Sequence, residues 1–150
     1  MPIEKVSKHT SRIAAVQIMY QKDIINIEIG KILHNFINHY MLEAEEHKDI
    51  NLRFFKRLVN HFTDTSVDFE DIISKNLLNE KTFYSISIIN KSILKVAIIE
   101  MIFEKTDIPV IITEYVEITK LFSDRASVKF VNAMLDKISK QIERKCLVNV

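Results

Sequence analysis

The chain has 150 residues, a hydrophobic content of 47%, a formal net charge of +1 and one cysteine, which suits a single ordinary domain with a real core and excludes an internal disulfide framework. One Gly and two Pro leave almost none of the punctuation that strands and hairpins need, so an all-α fold is expected. A charge near zero argues neither for nor against nucleic acid; no stretch approaches the ~20 apolar residues of a membrane span, and Met1 to Lys8 holds no apolar run of signal-peptide length, so a cytoplasmic protein is expected.

The first helix is predicted over about Val6 to Lys22. Ile13, Val16 and Tyr20 recur at helical spacing and supply its buried stripe, while Lys5, Lys8, His9 and Arg12 fall at i, i+3, i+4 and i+7 on a neighbouring one. Three cations and a titratable histidine in line over two turns suit a phosphate backbone. On the charges alone, a solvated amino-terminal turn is the competing reading. A second helix over Ile25 to Glu46 carries Ile29, Leu33, Phe36, Ile37 and Tyr40 in register, with a disturbance expected at Gly30, where glycine costs about 1 kcal/mol relative to alanine. Glu43 to Asp49 reads as an acidic surface connection.

A long helical region is predicted from Asn51 to Leu78, with Phe54, Phe55, Leu58, Val59 and Phe62 inward. Thr63 to Ser66 either breaks it, because such side chains compete for backbone hydrogen bonds, or lies within one long helix. Asn79 to Thr82 form the next break. Ile86, Ile89, Ile93, Val96, Ala97 and Met101 then describe a helix whose other side Ile88, Ile98, Ile99 and Ile102 also fill, which places it at the centre of a carboxyl-terminal bundle. Glu100 on this helix is read as a capped or salt-bridged structural carboxylate rather than a catalytic acid. Thr106 to Pro109 ends it, and Pro109 opens the next helix.

The last third reads as a helical hairpin. Ile112, Tyr115, Val116, Thr119 and Phe122 hold the helical period in its first arm, and Val131, Met134, Leu135, Ile138 and Ile142 in its second. The polar bend from Ser123 to Ser127 joins them, with Ser127 or Asp124 placed to cap the second arm. Charge is uneven: residues 1–22 and 129–145 lean basic, whereas 43–49 and 64–80 lean acidic.

Catalytic machinery is not legible. His9, His34, His39, His47 and His61 form no i, i+4 pair of the kind a helical zinc site uses, and Cys146 stands alone. There is no phosphate-cradling glycine loop and no nucleophile elbow. The expectation is a protein without enzymatic activity, cofactor or metal.

Glu114-Tyr-Val-Glu-Ile-Thr-Lys-Leu-Phe122 followed by Lys129-Phe-Val-Asn-Ala-Met-Leu-Asp-Lys137 resembles the signature of the NusB family of transcription antitermination factors. The resemblance extends in order through Ala14-Ala-Val-Gln-Ile-Met-Tyr20, Phe54-Phe-Lys-Arg-Leu58 and Ile93-Leu-Lys-Val-Ala-Ile-Ile-Glu-Met101. It implies an all-α fold of about seven helices, with an amino-terminal helical subdomain over about 1–80 and a carboxyl-terminal one over about 81–145. It also implies an RNA-binding adaptor that pairs with NusE, a protein of the small ribosomal subunit, on the boxA element of nascent ribosomal RNA, within the RNA polymerase antitermination complex. Homodimers that hide the basic surface occur among such proteins.

By that resemblance RNA contact falls to Lys8, His9 and Arg12, with Lys5 and Lys95 beside them. Lys8, His9 and Thr10 stand where arginines are usual, as does Lys95, and lysine lacks the planar fork of arginine. Phe122 is assigned to the NusE face with Asp124 and Arg125; a core aromatic is the other reading of Phe122. Ala133 replaces the usual glycine of the signature. Two other classes compete: a protein-binding helical scaffold that has lost RNA contact, and the RNA-binding domain of a ribosomal RNA methyltransferase, for whose catalytic domain 150 residues leave no room.

Overall fold

A computed structural model describes residues 3–42, 50–78 and 81–148, and the predicted acidic turn from Glu43 to Asp49 lies outside them. The described residues form seven α-helices and one 3-10 turn, with no strand: α1 (Ile3–Ile25), α2 (Ile29–Leu42), α3 (Leu52–Asp64), α4 (Phe69–Ser74), the turn Phe83–Ser85, α5 (Ile88–Phe103), α6 (Ile108–Phe122) and α7 (Arg125–Val148). No described helix is long and apolar enough to cross a membrane. The chain divides into two compact units, residues 1–65 and 66–150.

In the first unit, α1 ends because Asn26 turns into the left-handed region at φ 57° and returns its N–H to the Lys22 carbonyl at 2.8 Å; asparagine tolerates that conformation far better than most side chains do. This stop is why α2 starts at Ile29 rather than at Ile25. Gly30 consequently sits in the first turn of α2, where the disturbance expected of it costs little. α1 packs on α2 and α3. Its buried face comprises Ser11, Ala14, Ala15, Val16, Ile18 and Met19, whereas Tyr20, predicted to be buried, is 38% exposed. The inward stripe is rotated from the predicted one, toward the small Ala14 and Ala15. Phe54, Phe55, Leu58 and Val59 of α3 are buried as their spacing requires, and Phe36 lies against Phe55 at 4.9 Å between ring centroids.

Ser11 fixes α3 to α1. Its hydroxyl donates to the Asn51 carbonyl at 3.1 Å and accepts the Asn51 N–H at 2.9 Å, while the Asn51 side chain accepts the Phe54 N–H and caps α3. Thr65 is extended, with φ −95° and ψ 148°, so of the two readings left open for Thr63 to Ser66 the break is the one realised.

The second unit begins with α4, and the division therefore falls at Thr65 rather than near residue 80. The reason is packing: α4 lies on α7, and Asn76 Nδ2 donates to Gln141 Oε1 at 2.6 Å. α5 forms the centre as its all-round apolar pattern predicts, with Ile93, Leu94, Val96, Ala97, Ile98 and Ile99 fully buried between α6 and α7. Glu100 is likewise fully buried and accepts a hydrogen bond from the Tyr115 hydroxyl of α6 at 2.7 Å, a structural role.

Asp107 occupies the N-cap position of α6, with Pro109 in its first turn. Its inward residues are Ile111, Tyr115, Ile118 and Thr119; Ile112 and Val116 are only half-buried and Phe122 is exposed. At the bend Asp124, not Ser127, caps α7, accepting the Ser127 N–H at 2.8 Å. Val131, Met134, Leu135 and Ile138 are buried in α7, as predicted.

Candidate nucleic-acid interface and partner surface

The basic residues of the first unit converge on one aromatic ring. Phe54, 1% exposed, has the Lys8 ammonium 5.5 Å from its centroid, the Arg12 guanidinium carbon at 5.2 Å and that of Arg57 at 5.7 Å. A ring's negative faces attract cations, which offsets part of the repulsion among three like charges. A cluster of cations on an apolar support suits an anion such as phosphate.

This arrangement corrects the picture of an open basic stripe. Arg12 is 3% exposed, because its flat, weakly hydrated guanidinium packs on Phe54 instead of reaching into water. Lys8 and His9 are half-buried. Lys5 belongs to α1, and its side chain lies outside the described residues.

Arg57 was missed, along with Arg53 and Lys56; all three are exposed on α3. The signal was available in Leu52-Arg-Phe-Phe-Lys-Arg57, where a helix buries Phe54, Phe55 and Leu58 and must turn its intervening cations outward. In the second unit Lys95 is half-buried on α5, its ammonium 5.8 Å from the centroid of Phe83.

The bend after α6 presents a different surface. Leu121 is 63% and Phe122 37% exposed, and Asp124 and Arg125 are exposed beside them. Nearby, a cavity of about 230 Å³ is lined in part by Lys81, Asn90, Ser127 and Phe130. Asn90 Nδ2 donates to Ser127 Oγ at 2.9 Å, while its Oδ1 is buried without a hydrogen-bond partner.

The Ser127 N–H holds the Asp124 carboxyl below its ordinary range. Replacing Asp124 with alanine is therefore expected to lower the thermal midpoint at neutral pH. Because the folded-state value lies below the ordinary 3.8, the charged cap stabilises fully above that value and fades as pH falls through the folded-state value. Thermal melts of both proteins from neutral pH down to about 2 would read this as a narrowing difference, and a gap independent of pH would show that the carboxylate charge contributes nothing.

A model of the NusB family matches residues 9–140. The chain is 28% identical over 144 residues to the transcription antitermination protein NusB of Sphingopyxis alaskensis, covering 93% of this chain and 96% of that one. Identity to the protein of that name from Clostridium botulinum is 32% over 138 residues, covering 91% of this chain and 100% of the other. Among solved structures, NusB of T. maritima superposes with a TM-score of 0.66 at 26% identity, over 93% of this chain and 92% of that one. A complex of the antitermination factors NusB and NusE with dsRNA contains a chain of the same fold, with a TM-score of 0.68 at 20% identity and coverage of 90% and 97%.

Proposed function

The chain belongs to the NusB family, and on that premise we propose that it is a non-catalytic antitermination factor that holds boxA RNA of nascent ribosomal transcripts together with NusE. It acts in the cytoplasm, within the RNA polymerase complex that reads through terminators. The observation that carries the RNA role is the convergence of Lys8, Arg12 and Arg57 on Phe54.

Lys8 and Arg57, with Lys5 on the same helix as Lys8, neutralise phosphates, and His9 adds a hydrogen-bonding contact from that helix. Arg12 acts mainly from beneath, adding positive potential and holding the packing of α1 on α3. Lys95 offers a further phosphate contact in the second unit. Phe122 and Arg125 meet NusE, and Asp124 shapes that bend by capping α7. Nothing in this scheme requires a covalent step; affinity comes from counterion release and fit.

Fluorescence anisotropy of a labelled boxA-like RNA across a salt series, with and without NusE, tests it. The logarithm of the binding constant should fall linearly with the logarithm of salt, and Lys8→Ala or Arg57→Ala should each flatten the slope by about 0.7, the value for one contact on a single strand. Capture of NusE with no RNA binding at any salt would leave a protein-binding scaffold and end the RNA reading.

A further inference from the structure

The 3-10 turn of the second unit carries an aromatic pair that the basic cluster on Phe54 does not involve. Tyr84 is 77% exposed, and its ring meets that of Phe83 edge to face, with centroids 5.8 Å apart and an interplanar angle of 85°. Two ammonium groups of α5 approach the half-buried Phe83, Lys91 at 4.7 Å and Lys95 at 5.8 Å from its centroid. A lone exposed aromatic would need no explanation. Here, however, a second ring supports it and two cations flank the pair.

The turn is also firmly built. The Ser85 hydroxyl donates to the Thr82 carbonyl at 2.7 Å and accepts the Thr82 N–H at 3.2 Å. The N–H groups of Ser85 and Ile86 return to the carbonyls of Thr82 and Phe83 at 3.0 and 3.3 Å. The Glu70 carboxylate, through hydrogen bonding and its charge, raises the Tyr84 hydroxyl above its ordinary titration range. The neighbouring acid Asp71 is paired with Lys75 at 2.9 Å.

We propose that Tyr84, braced by Phe83, is a stacking platform for one unpaired base of the bound RNA, and that Lys91 and Lys95 neutralise the phosphates flanking that base. The inference rests on the RNA-binding reading above and adds a contact of a different kind. Every base has a π-face, so an exposed ring beside cations binds single strands with little sequence preference. Duplex RNA keeps its bases stacked on one another and offers the platform none.

The chain contains no tryptophan, so Tyr84→Trp introduces a unique indole at the site. Its emission should be quenched on titration with a single-stranded boxA-like RNA and remain unchanged with a duplex of the same length. By anisotropy, Tyr84→Ala should weaken single-strand binding about 5- to 150-fold, the range for losing one stacked base, with the salt slope unaltered. Tyr84→Phe should bind as the parent does, and Lys91→Ala or Lys95→Ala should flatten the slope by about 0.7 each.

If the parent protein binds RNA while Tyr84→Ala binds equally well with an unchanged circular dichroism spectrum, the platform is refuted and the RNA reading stands. Quenching by NusE alone and not by RNA would assign the ring to a protein contact and likewise overturn it. A parent protein that fails to bind RNA at all removes both proposals.

Discussion

Arg12→Glu is expected to destabilise the protein by more than about 3 kcal/mol, the scale for an uncompensated buried charge. Arg12 is 3% exposed, with its guanidinium carbon 5.2 Å from the Phe54 centroid. Glutamate there would set a desolvated carboxylate against the negative face of a ring, the reverse of the present attraction. Arg12→Met keeps the apolar stem while removing the guanidinium, so a smaller loss than that of the glutamate variant is expected. Urea denaturation followed by circular dichroism separates the two variants. A glutamate variant within about 0.5 kcal/mol of the parent would behave like an ordinary surface substitution and contradict the burial.

The consequence reaches the RNA assays. Weakened RNA binding by Arg12→Glu would report unfolding as readily as a lost phosphate contact. Arg57, exposed on α3, gives the cleaner measurement.

Removing the Tyr115 hydroxyl as Tyr115→Phe is expected to cost about 1–3 kcal/mol, the scale for a buried acceptor left without its donor. Both Tyr115 and Glu100 are fully buried, and water is not at hand to replace the donor at 2.7 Å. Combining Tyr115→Phe with Glu100→Leu removes donor and acceptor together, so the double variant should be more stable than the sum of the single losses predicts. Denaturation midpoints of the four proteins in the cycle measure that coupling. Additivity within about 0.3–0.5 kcal/mol, as for independent sites, would show that the two groups do not act as a pair.

These two residues illustrate how far residue pattern carries. Glu100 sits on a helix apolar on every side, which alone identified it as a structural carboxyl, but its donor could not be read because Tyr115 belongs to another helix. The α6–α7 hairpin was legible down to its bend, and Asp124 and Ser127 were both plausible caps by chemistry; backbone direction at the bend selected Asp124. The inward stripe of α1 was misplaced toward Tyr20. Helical period gives the spacing of a buried face but not its rotation, and two alanines that weigh little in any hydrophobic pattern are part of that face.

Sequence by itself determined the class of fold, the central place of α5 and the family, since these follow from periodicity, scarce glycine and proline, and residue order within single segments. Tertiary structure alone decided that Arg12 is buried, that Arg57 joins Lys8 on Phe54, and that Lys91 and Lys95 surround Phe83 beside an exposed Tyr84. Each of these depends on which helix meets which side chain. A long cationic stem can lie along a ring or reach into water, and only the neighbour supplied by a distant part of the chain settles which state has the lower free energy.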